Sequence, residues 1–215
     1  AQAYAWKVCT QGQGMFRGYL DPDVEFEKAK KNIDKALECN SNDFECHRML
    51  SAVYLSNHDY ILAEDHGQKA YTMVPNDPRV LSGYGEVLVR VKKVKKGLEL
   101  LNKAFELDPI PQGQSTSDNR IKDLILGYFF DEDFKKISEL SSELRVIDER
   151  SCLFILYAKF KLNVRFDKSN EYNQFYENYS SLDWGNVIER FHIPDNELKE
   201  KLNDFCNNIL KTTKR

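Results

Sequence analysis

An all-α chain of stacked helical hairpins is what this sequence predicts, and three observations carry the prediction. Pro75 and Pro109 each stand just after an amphipathic run centred on alanine, and the interval between them separates other matched residues too. The small residues keep the same step: Ala70 maps onto Ala104, Ala63 onto Gly97 and Ser51 onto Gly85. The larger apolar residues around them recur at helical spacing. A fixed period of this length marks a repeat array, in which each unit buries its apolar face on its neighbours.

The same interval taken backwards brings Ala36 and Ala29 into register with Ala70 and Ala63, with Ser41 in place of the proline. Residues 1–109 therefore read as three helix pairs. Within a pair, Ser51 or Gly85 on the first helix faces Ala63 or Gly97 on the second, and the small side chains let two backbones approach. Leu50, Tyr54 and Tyr60 fill the second unit, and Leu81, Tyr84, Leu88 and Leu101 the third. Pro75 and Pro109 end the second helices, because the residue before proline avoids helical angles and the ring lacks a donor. Breaks are expected near 57–60, 74–78 and 91–94, and the first unit has an irregular connection at "MFRGYLDPD".

Residues 110–117 are polar, contain Pro111 and Gly113, and read as a loop. Degenerate helix pairs follow over 118–182: "IKDLILGYFF", with Gly127 at the small position, "FKKISELSSELRVI", "SCLFILYAKFKLN" and "SNEYNQFYENYSS". That makes about five pairs. Residues 183–215 form a C-terminal extension with a capping helix. Asp195 caps it, and Leu198, Leu202, Phe205 and Ile209 share one stripe expected to cover the open end of the fifth pair.

The formal net charge of −3 argues against nucleic acid as the main partner, since phosphate binding needs a basic face. No apolar run reaches the roughly 20 residues of a spanning helix. A chain that starts at Ala1 without a leader-like stretch reads as a fragment or a mature form. Five cysteines without a CxxC pair suit reduced thiols and a cytoplasmic setting. A periplasmic or other extracytoplasmic setting stays open, because Cys39 and Cys46 flank one turn and could bridge there.

No catalytic constellation emerges, so the chain is read as no enzyme, with no cofactor and no metal. His58 and His66, near Asp59, Glu64 and Asp65, read as a solvated turn without metal-ligand spacing. Cys46 and His47 are adjacent on a helix and point about 100° apart, so they form no nucleophilic pair. "RVKKVKK" at 90–96 reads as a basic turn, and "QGQGMFRG" lacks the Lys-Ser/Thr of a phosphate loop.

The set Leu50, Ser51, Tyr54, Ala63, Gly67, Ala70 and Pro75, repeated as Tyr84, Gly85, Leu88, Gly97, Leu101, Ala104 and Pro109, resembles the tetratricopeptide repeat family. That resemblance implies a solenoid whose first helices line a concave groove. The groove residues would be Glu45, Arg48, Ala52 and Leu55 in the second unit and Arg79, Ser82, Glu86, Val89 and Arg90 in the third. The implied role is a non-catalytic scaffold for a protein or peptide partner carrying acidic groups, with a homodimer as a further option. The family's clamp for chaperone tails is not matched: Met49 and Gly83 stand at two of its polar positions, and only Arg79 fits. The order of a degenerate fifth pair, "DWGNVIERFHIPDNELKEKL" and a closing helix is similar to the repeat regions of bacterial class III adenylate cyclases and winged-helix transcriptional activators. A regulatory segment of such a signalling protein is the alternative expectation.

Overall fold

A computed structural model describes residues 1–16, 21–111 and 118–210 of the chain. Among these are twelve α-helices and no strand. They run as α1 (Gln2–Phe16), α2 (Pro22–Cys39), α3 (Phe44–Ser56), α4 (Tyr60–Met73), α5 (Pro78–Arg90) and α6 (Val94–Leu107). Then come α7 (Asn119–Phe130), α8 (Phe134–Ser141), α9 (Glu149–Lys161), α10 (Asn170–Gln174), α11 (Trp184–Glu189) and α12 (Asn196–Asp204). Both α10 and α12 continue into a π-helical turn, Phe175–Tyr179 and Phe205–Leu210.

Odd-numbered helices are the first arms of hairpins and even-numbered ones the second. Each first arm from α1 to α7 also packs on the next first arm, and α2, α4, α6 and α8 pack on the hairpin that follows. The result is a stepwise succession of pairs, a solenoid. Its breaks after α3, α4 and α5 fall where the proline and turn signals put them. Most of the loop expected at 110–117, and part of the irregular connection in the first unit, lie outside the described residues. The closing helix α12 packs on α11, so it is the second arm of a sixth, short hairpin. The side chain of Ile209, expected on its stripe, also lies outside what is described.

Two local devices punctuate the array. Aspartates 43, 59, 77, 133, 148, 183 and 195 each accept backbone N–H groups at the start of a helix, satisfying donors that the helix leaves orphaned. First arms α3, α5, α7, α9 and α11 end on a residue in the left-handed region: His58 (φ 60°), Lys92 (64°), Glu132 (56°), Asn163 (54°) and His192 (53°). In four of these turns the next N–H reaches back into the last turn of the helix, from Asp59 to Tyr54, Lys93 to Leu88, Asp133 to Tyr128 and Val164 to Lys159. This is the Schellman pattern that stops a helix.

The small-residue register sets the spacing within hairpins. The Ser51 hydroxyl donates to the Ala63 carbonyl at 2.7 Å, and in the next unit a Cβ on Gly97 would stand 2.9 Å from the Gly85 carbonyl oxygen. Gly97→Ala should therefore destabilise by about 1–3 kcal/mol, since backbone must move. Gly83, on another face of α5, has open space where its Cβ would be. Gly83→Ala should stabilise by about 0.5–1 kcal/mol through helix propensity alone. Chemical denaturation of the two variants checks the contrast of sign.

One helix is shorter than its sequence suggests. The run "FKKISELSSELRVI" is helical only to Ser141. Asp118, buried and itself in the left-handed region, accepts the N–H groups of Arg145 (2.7 Å) and Val146 (3.0 Å) and the Arg145 guanidinium. Those bonds take residues 145 and 146 out of the helical ladder and tie them back to the start of α7. Next in sequence, α9 is buried nearly all round, from Ser151 to Ala158, and forms the centre of the C-terminal core.

Candidate functional site

The inner surface is built from first arms α3 and α5. A pocket of about 170 Å³ opens between them, walled by Arg48, Ala52 and Leu55 on one side and Gly83, Glu86 and Val87 on the other. Helix periodicity explains the grouping: 48, 52 and 55 lie on one face of α3, and 83, 86 and 87 on one face of α5. His192, from the α11–α12 turn, closes one end.

The expected groove residues are brought together unevenly. Arg48 and Arg79 both reach Glu45, at 2.5 Å and 3.4 Å, so a buried carboxylate bridges α3 and α5. Arg79 also pairs with Asp77 and lies over the Phe44 ring. The Ser82 hydroxyl donates to Asp123 of α7 at 2.6 Å. Leu55, Glu45, Ser82 and Val89 are buried rather than presented to solvent.

Arg90 departs furthest from expectation. Sequence register places it on the open face and within a solvated basic turn, yet it is 2% exposed. Its Nε donates to the His192 carbonyl at 3.1 Å, its Nη2 to the Phe191 carbonyl at 3.2 Å, and its Nη1 to the Glu86 carbonyl at 3.0 Å. The Glu86 carboxylate completes the arrangement, 3.1 Å from Arg90 and 3.7 Å from Arg150 of α9. The chain's own α11–α12 turn thus occupies the position expected for a partner. The lysines of the same run are ties between units: Lys93 bonds Glu64, and Lys95 bonds Asp131 at 2.8 Å.

On the far side of this contact a second hollow, of about 360 Å³, is floored by Phe129, Phe130 and Tyr157 and edged by Lys92, Lys161 and Pro194. Arg90 borders it, as His192 borders the first.

Histidine pairing is the feature that sequence reasoning missed. His47 Nε2 lies 3.2 Å from the Ser41 carbonyl, which fixes that nitrogen as the donor. The other nitrogen, Nδ1, is left to accept from His66 Nδ1 at 2.9 Å. His58 and His192 meet edge to face with ring centroids 4.9 Å apart. His47 and His66 sit on different helices, so their pairing gives no local cue, and His192 reaches His58 only through the folding back of α11. Burial holds His47, His66 and His192 below the ordinary imidazole range, His192 down to about 4. Cys46, Cys152 and Cys206 are buried as thiols, and Cys39 is exposed. Burial pushes the Cys46 thiol up to about 11, which leaves it unreactive.

These shifts set a pH dependence with two opposed parts. His47, His66 and His192 favour the neutral form in the folded chain, while the unfolded chain takes up protons below about pH 6.5. Their contribution is complete above that pH and is lost as pH falls, by about 2 kcal/mol at pH 5 for His192 alone. Asp123 works the other way. Burial and the neighbouring Glu86 raise its carboxyl to about 6, so folding favours its protonated form and acid supports it. Asp123→Asn removes that offset, and its stability should fall more steeply between pH 7.5 and 5 than the parent's. Urea unfolding at both pH values checks the slope.

Among the described residues no group of three or more His, Cys, Asp and Glu side chains is placed to hold a metal ion, and no helix is long and apolar enough to cross a membrane.

No family model matches the chain. A curated relative, anaphase-promoting complex subunit 3 of Schizosaccharomyces pombe, is 28% identical over 137 residues, which is 64% of this chain and 20% of the relative. The chain thus spans about a fifth of that protein's length. Two solved MamA structures resemble the fold. A MamA mutant gives a TM-score of 0.53 at 15% identity, covering 81% of this chain and 95% of its own. A second MamA structure gives 0.52 at 14%, covering 84% and 92%. With the fixed repeat register, the small-residue contacts of Ser51 with Ala63 and Gly85 with Gly97, and these likenesses together, the chain is a tetratricopeptide-repeat-like helical solenoid.

Proposed function

We propose that this chain is a non-catalytic scaffold that binds a peptide segment of a protein partner along the inner faces of α3 and α5. The observation that carries the reading is the pocket between those helices, where Ala52 and Gly83 leave room beside the charged side chains of Arg48 and Glu86. Small residues there admit an extended backbone, and flanking polar groups fix its direction. Of the three groove arginines, Arg79 is the one whose side chain stays substantially exposed, at 42%. Although Glu45 and Asp77 pair with it, its exposed side is open to an acidic group of the partner, whereas Arg48 and Arg90 are more enclosed around their own carboxylate partners.

Selection of peptides from a random display library on the full chain tests this reading, with Gly83→Phe as the blocked counterpart. Selected peptides should bind the parent and lose about 10-fold or more in affinity on Gly83→Phe, which fills the pocket without touching the hairpin interface. Arg79→Ala should weaken the acidic members of the set selectively. Peptides that bind Gly83→Phe as well as the parent would reject the groove.

A further inference from the structure

The α11–α12 turn closes the groove through contacts that reach across the array. Arg90 donates to the carbonyls of both Phe191 and His192, Tyr60 donates its hydroxyl to the His192 carbonyl at 3.4 Å, and the His58 ring meets the His192 ring. These contacts tie the sixth hairpin to the second and third. We infer that this turn is a proton-controlled latch, which at neutral pH separates two hollows of the inner face and in acid releases them into one continuous groove.

The chemistry lies in what surrounds the His192 imidazole. Its Nδ1 is buried without a hydrogen-bond partner. The groups facing it are His58 from the α3–α4 turn, Tyr60 from α4, Glu86 and Arg90 from α5, and Arg150 from α9. On its own hairpin Glu189 is paired with Lys199 at 2.8 Å. Glu86, the carboxylate that faces the ring, already serves Arg90 and Arg150. A proton on His192 would therefore set a new cation beside the guanidinium that holds the turn, and the anion that could receive it is already shared. The neutral ring stays; the charged ring leaves. The hollow beside His192 and the one beside Arg90 and Pro194 then lose the contact that borders both.

The size of the effect follows from linkage. A group titrating near 4 when latched and near the ordinary imidazole value when released makes the open population rise by about 30-fold between pH 7.5 and 5. Hydrogen–deuterium exchange of the full chain, corrected for the intrinsic pH dependence of exchange, reads this without any partner. Amides of residues 188–198 should lose about 10- to 30-fold in protection at pH 5, with those of α7 and α9 remaining the better protected. His192→Asn, which tolerates the left-handed backbone and does not titrate, should abolish that response, and His58→Phe should retain most of it. An NMR titration of the parent gives an independent measure, with His192 expected well below the ordinary value of about 6.5. Unchanged protection at pH 5, a response that survives in His192→Asn, a response lost only in His58→Phe, or normal titration of His192 would each overturn the latch. Failure of peptide selection would reject the groove reading and leave these measurements untouched.

Discussion

Arg90→Leu is expected to cost about 3–5 kcal/mol, read as a large drop in the urea midpoint with little change of slope. The guanidinium is buried and makes donor bonds to three backbone carbonyls in addition to its ion pair with Glu86. Leucine fills much of the volume but leaves the Phe191 carbonyl without its donor and the His192 carbonyl with only the long bond from Tyr60, and a buried orphan costs about 1–3 kcal/mol. Arg150, 3.7 Å from Glu86, keeps that carboxylate from being stranded altogether, so the loss should fall short of a fully unpaired charge. Arg165 supplies the control. It pairs with Asp167 at 2.7 Å but is largely exposed. Arg165→Ala should therefore leave the urea midpoint essentially where the parent's lies. Equal effects from the two substitutions would show that the α11–α12 turn contributes nothing to the fold.

The same arginine shows where sequence reading reaches and where it stops. Local rules recover the helices: Pro75 follows the end of α4, Asp195 caps α12, and the repeat step sets Ser51 against Ala63 and Gly85 against Gly97. The closing stripe is equally legible, because Leu198, Leu202 and Phe205 recur at helical spacing. Leu198 packs partly, and Leu202 and Phe205 wholly, against the C-terminal core. Register also offers Arg90 to an open inner face, yet its side chain is buried. What register cannot supply is the return of residues 191–193 from far along the chain to cover it. The shortening of α8 has the same origin, a carboxylate at 118 capturing amides at 145 and 146. The exact stops of the first arms are less legible for a different reason. Their left-handed residue is not glycine, so His58, Lys92, Glu132 and His192 do not mark by residue type the position that stops the helix, even where the repeat places the break.

Phe205→Ala should be as damaging as the loss of Arg90, for an apolar reason. Phe205 is 2% exposed at the junction of α12 with the central helix α9. Its ring lies 5.3 Å from that of Tyr157, 5.2 Å from Phe160 and 6.3 Å from Phe166. Removing it takes away the transfer energy of a large aromatic and leaves a cavity among rings that have packed edge and face, about 3–5 kcal/mol together. Leu198→Ala, on the same stripe but only half-buried, should cost clearly less. The difference matters because α12 has two conceivable duties. If it closes the array, its energy resides in residues that face α9, and deleting 195–215 exposes Tyr157, Phe166 and Tyr172, so the shortened chain should associate or precipitate. If the stripe instead served a second copy or another domain, the deletion would stay soluble, run at monomer mass and melt with the parent. Phe205→Ala would then change mass in solution before it changed stability. Denaturation of the two point variants, with light scattering of the deletion, separates these outcomes, and the burial of Leu202 and Phe205 within one chain favours the first.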